Sequence, residues 1–155
     1  MSNIIKHIYS EAFTIPITLS GLGSSSDLLS GRQSDMISNV SGFTDLQIHF
    51  SVRAGSSPSL SRNLTFHALK GEKSPSTTRT DGVGTGNSPA TILTAEQLGN
   101  IQTTTGVNQS YSGSFLFSNP GPEWGIFVAH NMGTNLSTTG TDHFLKYIGI
   151  TPQII

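Results

Sequence analysis

The most regular pattern in the chain is an alternation of apolar and polar residues from Thr44 to Ala54. Leu46, Ile48, Phe50 and Val52 fall on one side of an extended chain, and every residue between them is polar. A period of two over this length predicts a β-strand with one face in the core and one face in water.

A second alternating segment, from Asn63 to Lys70, follows after a polar turn at Gly55 to Ser61. Two alternating segments joined by a short connection of turn-forming residues are typical of an antiparallel hairpin. In such a hairpin His49 and His67 would face each other across the solvated side.

A continuous apolar run extends from Trp124 to Ala129 and holds the only tryptophan. The run is too short for a typical helix, and turn residues bound it on both sides, at Asn119–Pro122 and at His130–Gly133. A strand that is apolar on both faces predicts the central core strand of an all-β domain. Its apolar neighbours favour a buried Trp124 over one exposed for stacking on a sugar.

The remaining segments complete an all-β prediction. Further strands are predicted at Phe13–Leu19, Tyr111–Phe117 and Phe144–Ile150, and Arg32–Val40 is either a helix or a strand, with a short strand favoured. A capping-box pattern at Thr94–Gln97, with Gly99 soon after, predicts one short helix. The sequence therefore predicts one domain over residues 1–155, a β-sandwich or jelly roll of about seven or eight antiparallel strands with one short helix.

The first eleven residues allow two interpretations. Ile4, Ile5, Ile8 and Tyr9 are apolar and lie outside the clearest strands. They form either the first strand of the sandwich or an arm that pairs with a neighbouring molecule by strand addition. The arm is slightly favoured, because the Ser- and Gly-rich loops offer few other apolar anchors, and these four residues are the predicted partner-binding residues.

Composition excludes several classes of function. Charged residues make up 11% of the chain, the net charge is −1 and no basic stripe is visible, which disfavours nucleic-acid binding. The absence of cysteine excludes disulfides and thiolate zinc sites. No apolar run approaches the length of about 20 residues that crosses a bilayer. The start of the chain lacks a signal-peptide pattern, so synthesis in a cytoplasm is expected.

No motif predicts catalysis or a cofactor. The long polar stretch from Gly71 to Pro89 is expected to be a functional or mobile loop, and its glycine run at Gly82–Gly86 lacks the strand and helix of a phosphate-binding loop. No serine lies in a nucleophile-elbow pattern, and the five histidines show no metal-ligand spacing, although His130 and Asp142–His143 lie at strand ends that could approach each other. We therefore expect no enzyme activity, no catalytic residue, no cofactor and no metal.

Several segments resemble a group of small structural proteins of tailed bacteriophages. The resemblance lies in Asn119–Ile126, His130–Gly133, Phe144–Ile150, Gly31–Ser34 and the Gly55–Pro58 turn, and it covers most of the chain from Gly31 onward. Its motifs are structural and carry no chemistry.

The resemblance implies a virion protein, made in the host cytoplasm. Its preferred form is a capsid decoration or cement protein, present as a homo-oligomer or in many copies, that binds the major capsid protein and stabilises the head. The alternatives are another virion component, such as a head–tail or tail-fibre part, or a carbohydrate-binding jelly-roll module.

Overall fold

The protein is a sandwich of two antiparallel β-sheets. The computed structural model describes residues 4–74, 77–80, 87–92 and 94–154, and for residues 72–74 and 77–80 it describes the backbone alone. The eleven strands of this part are β1 (Ile5–Thr14), β2 (Ser30–Gln33), β3 (Ile37–Ser38), β4 (Asp45–Arg53), β5 (Asn63–Ser74), β6 (Thr77–Thr80), β7 (Pro89–Thr91), β8 (Glu96–Gln102), β9 (Ser110–Ser118), β10 (Glu123–His130) and β11 (Phe144–Ile154). A single turn of 3-10 helix at Gly140–Asp142 precedes β11.

The strands divide into a smaller and a larger sheet. Sheet A has four strands in the order β1-β11-β4-β9, and sheet B has seven, with the path β6-β5-β10-β2-β7 and with β3 on β10 and β8 on β5. The all-β sandwich class that the sequence predicts is confirmed, with eleven strands among the described residues where seven or eight were expected.

The apolar run around Trp124 is the central strand of sheet B, as predicted. All eight residues of β10 are buried. One face, with Trp124, Ile126 and Val128, enters the core between the sheets. The other face, with Phe127 and Ala129, packs against a second small apolar cluster on the far side of sheet B.

The alternating segment β4 also matches its prediction. Its residues alternate strictly between half-buried and fully buried, and Leu46, Ile48, Phe50 and Val52 are each at most 1% exposed. Gly113 of β9 leaves room for the Phe50 ring, because a Cβ at position 113 would lie 3.1 Å from that ring.

The predicted hairpin of β4 and β5 is wrong. β4 pairs with β11 and β9 in sheet A, whereas β5 pairs with β10, β8 and β6 in sheet B. The connection between them crosses from one sheet to the other. It is held to the segment after β10 by hydrogen bonds from Gly55 N–H to Asn135 O and from Ser59 N–H to Met132 O.

The two strands therefore face each other through the core. The rings of Phe50 and Phe66 lie 4.5 Å apart, and Phe115 of β9 stacks on Phe50 at 5.0 Å. His49 and His67 point away from each other on the two outer faces, so they do not form the predicted pair. Alternation shows which face of a strand is buried, but it does not show which sheet the strand joins.

Three local predictions are also corrected. Thr94–Gly99 does not form a helix, because residues from Glu96 onward join sheet B as β8 and pair with β5. The predicted strand at Phe13–Leu19 ends at Thr14. Part of the polar stretch after Gly71 is a hairpin of β5 and β6, and the glycine run at 82–86 lies outside the described residues.

The N-terminal segment forms an edge strand of its own domain. β1 pairs antiparallel with β11 from Ile5 opposite Ile154 to Thr14 opposite Lys146, with a register shift between Tyr9 and Ala12. Of the two interpretations of residues 1–11, the structure of the isolated chain shows the first strand. Ile15, directly after β1, is 2% exposed and joins the core.

The burial of Trp124 predicts a large loss of stability on truncation. Trp124 is 1% exposed and packs edge-on against Phe117 and Tyr147. We expect Trp124→Ala to lower the free energy of unfolding by about 3–5 kcal/mol, because it removes a core aromatic and leaves a cavity. Urea unfolding followed by circular dichroism measures the change.

The matched control is Val40→Ala. Val40 is 89% exposed, so its truncation should alter the free energy of unfolding by no more than about 0.5 kcal/mol. A loss below about 1 kcal/mol for Trp124→Ala would contradict a buried tryptophan.

Candidate interaction surface

The outer face of sheet A carries apolar side chains from several neighbouring strands. Strand register places Tyr9 of β1, Ile150 of β11 and Asp45 of β4 side by side in one row. In the adjacent row Ile148 of β11 lies beside Gln47 of β4, which lies beside Leu116 of β9. Tyr9 is 62% exposed and Leu116 is 61% exposed. Apolar side chains of β1, β11 and β9 thus lie on this face, on the two sides of the polar outer residues of β4.

These residues surround a shallow groove of about 220 Å³. It is lined by His7, Tyr9, Asp45, Leu116 and Ile150. Asp45 is the one carboxylate in this lining, and the Thr44 hydroxyl donates to it at 3.1 Å. A groove with an apolar floor and a single acidic group suits a protein side chain with an apolar stem better than it suits a charged small molecule.

The four predicted partner-binding residues are all exposed, but they do not form one surface. Strand alternation puts Ile5 and Tyr9 on the outer face of sheet A, with Ile5 opposite Ile154. Ile8 lies on the opposite face of β1, 45% exposed, and Ile4 precedes the strand, 64% exposed. Only Tyr9 of the four lines the groove.

Sequence reasoning did not identify Leu116, Ile148 and Ile150 as part of this surface. A signal for it was present in β11, where Phe144, Ile148 and Ile150 alternate with Leu145 and Tyr147. Since Leu145 is buried and Tyr147 packs on the core, the first set must lie on the outer face. A strand that is apolar on both faces in a two-layer fold either has a further covering layer or presents an apolar outer face.

A cluster of serine, aspartate and histidine near the 3-10 turn does not have the arrangement of a nucleophilic site. The Ser137 hydroxyl donates to Asp142 at 2.6 Å, and not to the imidazole. His143 Nε2 donates to the Ser137 carbonyl at 2.9 Å, and its Nδ1 accepts from Arg53 N–H at 3.4 Å. Both ring nitrogens are thus engaged by the main chain, so His143 cannot act as the base for Ser137.

The same cluster stabilises the ionised form of Asp142. The Ser137 hydroxyl, and after it the Arg53 guanidinium 3.3 Å away, lower the pKa of Asp142 below its ordinary value. These contacts anchor the turn before β11 to the end of β4.

Two polar clefts lie among the loops. One is lined by Gly55, Ser56 and residues 134–138, and the other by Ser24, Ser26, Ser59, Arg62, Asn131 and Gly133. Neither lining includes an aromatic side chain on which a sugar ring would stack, and Trp124 is in the core.

His130 is fully buried at the end of β10. Its Nε2 donates to the Leu22 carbonyl at 3.0 Å, and its Nδ1 is buried without a hydrogen-bond partner among the described residues. Burial lowers the pKa of His130 below 6.5, since protonation would place a second N–H in a site with no acceptor. His130 contacts Leu22, whereas His143 contacts Ser137 and Arg53. These contacts do not bring His130 together with Asp142–His143, an approach that the sequence allowed.

The part of the chain that the structure describes contains neither a metal-binding cluster nor a membrane-spanning helix. In that part of the chain no group of three or more histidines, aspartates or glutamates is arranged to hold a metal ion. Within the same residues, no helix has the length and apolar character needed to cross a bilayer. Comparison with protein-family models, with curated proteins and with solved structures found no match to this chain.

We expect acid to weaken the fold, because His130 is buried and His67 is half-buried. Burial lowers the pKa of both His130 and His67 below the ordinary 6.5, so below that pH the unfolded chain binds more protons than the folded one. The free energy of unfolding should therefore be largest above pH 6.5 and fall as the pH is lowered below it. Urea unfolding at pH 7.5 and at pH 5.5 measures the difference.

His130→Gln should reduce this pH dependence without removing it, because His67 contributes in the same direction. Val40→Gln, at an exposed position, changes no titratable group; it is the control and should leave the pH dependence as it is in the original chain. An unchanged pH dependence in His130→Gln would contradict a neutral buried imidazole at this position.

Proposed function

We propose that this protein is a structural component of a bacteriophage virion, a capsid decoration protein that binds the major capsid protein and stabilises the head. The observation that carries the proposal is the apolar outer face of sheet A, with Tyr9, Ile150 and Leu116 around one groove. Exposed apolar patches rimmed by polar groups are a feature of protein-binding surfaces. The choice of a phage head as the partner rests on the sequence resemblance.

A rigid sheet face suits adhesion to a repeating lattice. Side chains on paired strands lose little further freedom on binding, so less conformational entropy opposes the contact. A contact of modest affinity becomes effective when many copies bind one particle and add to one another's contribution. The proposal therefore includes many copies on the virion, made in the host cytoplasm and assembled without nucleic acid or membrane as a partner.

We also propose that the role is binding and not catalysis. The hydrogen bonds of Ser137, Asp142 and His143 support this, because they occupy the groups that a hydrolytic site would need free.

The head–tail, tail-fibre and carbohydrate-binding alternatives differ in where the protein would be found. A cryo-EM map of the purified virion distinguishes them by showing whether density for this sandwich covers the head, lies in the tail or is absent.

The surface itself is tested by a face-specific pair of variants. We expect Tyr9→Ser combined with Ile150→Ser to weaken binding to capsid shells that lack the protein by about tenfold or more, because both side chains line the groove. Co-sedimentation of purified protein with the shells gives the bound fraction at each protein concentration.

Ile8→Ser is the matched control, since Ile8 lies on the same strand but on its opposite face and is also exposed. It should bind as the original chain does. Equal binding by the groove variant, or an equal loss in Ile8→Ser, would rule out the outer face of sheet A as the capsid contact.

Removal of residues 2–10 is a second test of the same surface. Described residues 4–10 have no fully buried side chain, and Ile5 to Tyr9 pair only with the last residues of β11. We expect the shortened chain to melt cooperatively and yet fail to coat empty heads. Loss of cooperative melting would show that β1 is required for the core, and full coating would show that β1 is not a contact.

A further inference from the structure

The outer edge of β9 pairs with no other strand in the part of the chain that the structure describes. Among the described residues β9 pairs with β4 alone, over nine residues in unbroken register from Ser110 opposite Arg53 to Ser118 opposite Asp45. The strand reads Ser-Tyr-Ser-Gly-Ser-Phe-Leu-Phe-Ser and contains no charged residue and no proline. A long, regular, uncharged edge strand is a template on which another strand can pair.

The other sheet edges in the described part of the chain carry features that oppose strand addition. β1 has Lys6, Glu11 and a register shift. β8 has Glu96 and a register shift opposite Phe66 and His67. β3 is two residues long, β6 is four residues long, and β7 is three residues long and begins with Pro89. β9 is thus the one edge of this sandwich, within those residues, that lacks the usual protection against pairing.

Hydrogen bonds at the two ends of β9 show which residues present free main-chain groups. Gln109 O accepts from Ala54 N–H, and Asn119 N–H donates to Thr44 O. In an antiparallel ladder the residues that bond to the partner alternate with residues whose N–H and C=O point away. The odd-numbered residues of β9 therefore bond to β4, and the even-numbered ones, from Ser110 to Ser118, offer their amides and carbonyls to the open edge.

We propose that this edge pairs with the same edge of a second copy of the chain, antiparallel and centred on Ser114. In this register Ser114 faces Ser114 of the other copy, Ser112 faces Leu116, and Ser110 faces Ser118. All residues of these pairs are even-numbered and point their main-chain groups to the open edge, so each pair can exchange two hydrogen bonds. The side chains of these five residues are all exposed, and the set combines four serines with one leucine.

The strand is self-complementary in this register. Leu116, the one large side chain of the set, lies opposite a serine, and no like charges meet. On the inner side Gly113 lies opposite Phe115 of the second copy, and Gly113 has no side chain because the Phe50 ring fills that space.

Pairing of this kind would join two four-stranded sheets into one continuous sheet. Since facing residues in an antiparallel pair point to the same side, the twofold axis stands perpendicular to the sheet. The two grooves beside Tyr9 then open on the same side of the dimer. The inference rests on β9 alone and does not depend on the proposed function.

A disulfide across the axis tests the register. The chain has no cysteine, so Ser114→Cys introduces a single thiol per copy. Facing residues of a hydrogen-bonded antiparallel pair have Cα atoms about 5.5 Å apart, within the range of about 4.4–6.8 Å that a disulfide spans. We expect Ser114→Cys to form a covalent dimer under mild oxidation, measured by non-reducing electrophoresis.

Ser110→Cys is the matched control on the same strand, at another exposed serine. In the proposed register its two copies lie eight residues apart along the strand, about 27 Å, so it should stay monomeric in the gel. Equal cross-linking of the two variants, or none in Ser114→Cys, would overturn the proposed register.

Charge substitution tests the same contact without a covalent bond. In analytical ultracentrifugation we expect the original chain to dimerise with concentration, and Ser114→Lys and Ser114→Glu each to raise the dimer dissociation constant by about tenfold or more through like charges on the axis. An equimolar mixture of the two variants should restore the dimer. Ala12→Lys, at an exposed residue of the opposite edge strand β1, should leave it intact.

A monomeric original chain at all concentrations, or a dimer that Ser114→Lys leaves unaffected, would overturn the proposal. A dimer that Ala12→Lys disrupts would move the interface to β1. Because none of these measurements uses capsid shells, failure here and failure of the proposed function are separate results.

Discussion

The structure depends on satisfying the main-chain hydrogen bonds of β10, a strand from which water is excluded along its whole length. A buried N–H or C=O without a partner is costly, so both edges of β10 must be paired. β5 pairs with one edge without interruption from Glu123 to His130. The other edge is shared by two short strands, β3 at Trp124 and β2 at Phe127 and Val128.

The gap between those two short strands is closed by Ser34. Its N–H donates to Ile126 O at 2.8 Å, and its hydroxyl accepts from Ile126 N–H at 3.0 Å. Gly125 permits this approach, because a Cβ there would lie 3.0 Å from the Ser34 hydroxyl and from the Met36 sulfur. One side chain thus completes the ladder, and the core strand can be apolar on both faces.

The two sheets differ in what covers their outer faces. On sheet B, Phe127 and Ala129 are covered by Ile92 and its apolar neighbours from the segment before β8. On sheet A, Tyr9 and Leu116 have no such layer among the described residues. This asymmetry supports the proposal that sheet A is the binding side. With 11% charged residues, the chain has few charges with which to protect an apolar face or a strand edge, and β9 has none.

The two surfaces proposed here are compatible with each other. The groove beside Tyr9 lies on the outer face of sheet A, whereas pairing of β9 uses main-chain groups at its edge. A dimer that presents two grooves on the same side would bind a repeating surface at two points, which raises the effective affinity without any new type of contact.

The sequence by itself determined the class of the fold and much of the core. The alternation in β4 and the apolar run in β10 predicted which faces are buried, because periodicity records directly which side chains leave water.

The tertiary structure alone decided the pairing of strands. It placed β4 and β5 in opposite sheets and drew the Thr94–Gly99 segment into a strand despite its capping-box pattern. The helix and strand propensities of single residues amount to only a few tenths of a kcal/mol to about 1 kcal/mol. They are outweighed by the hydrogen bonds that form when this segment pairs with the edge of β5. The outer-face groove likewise exists only after β1, β11, β4 and β9 lie side by side, since its residues come from four separate parts of the chain.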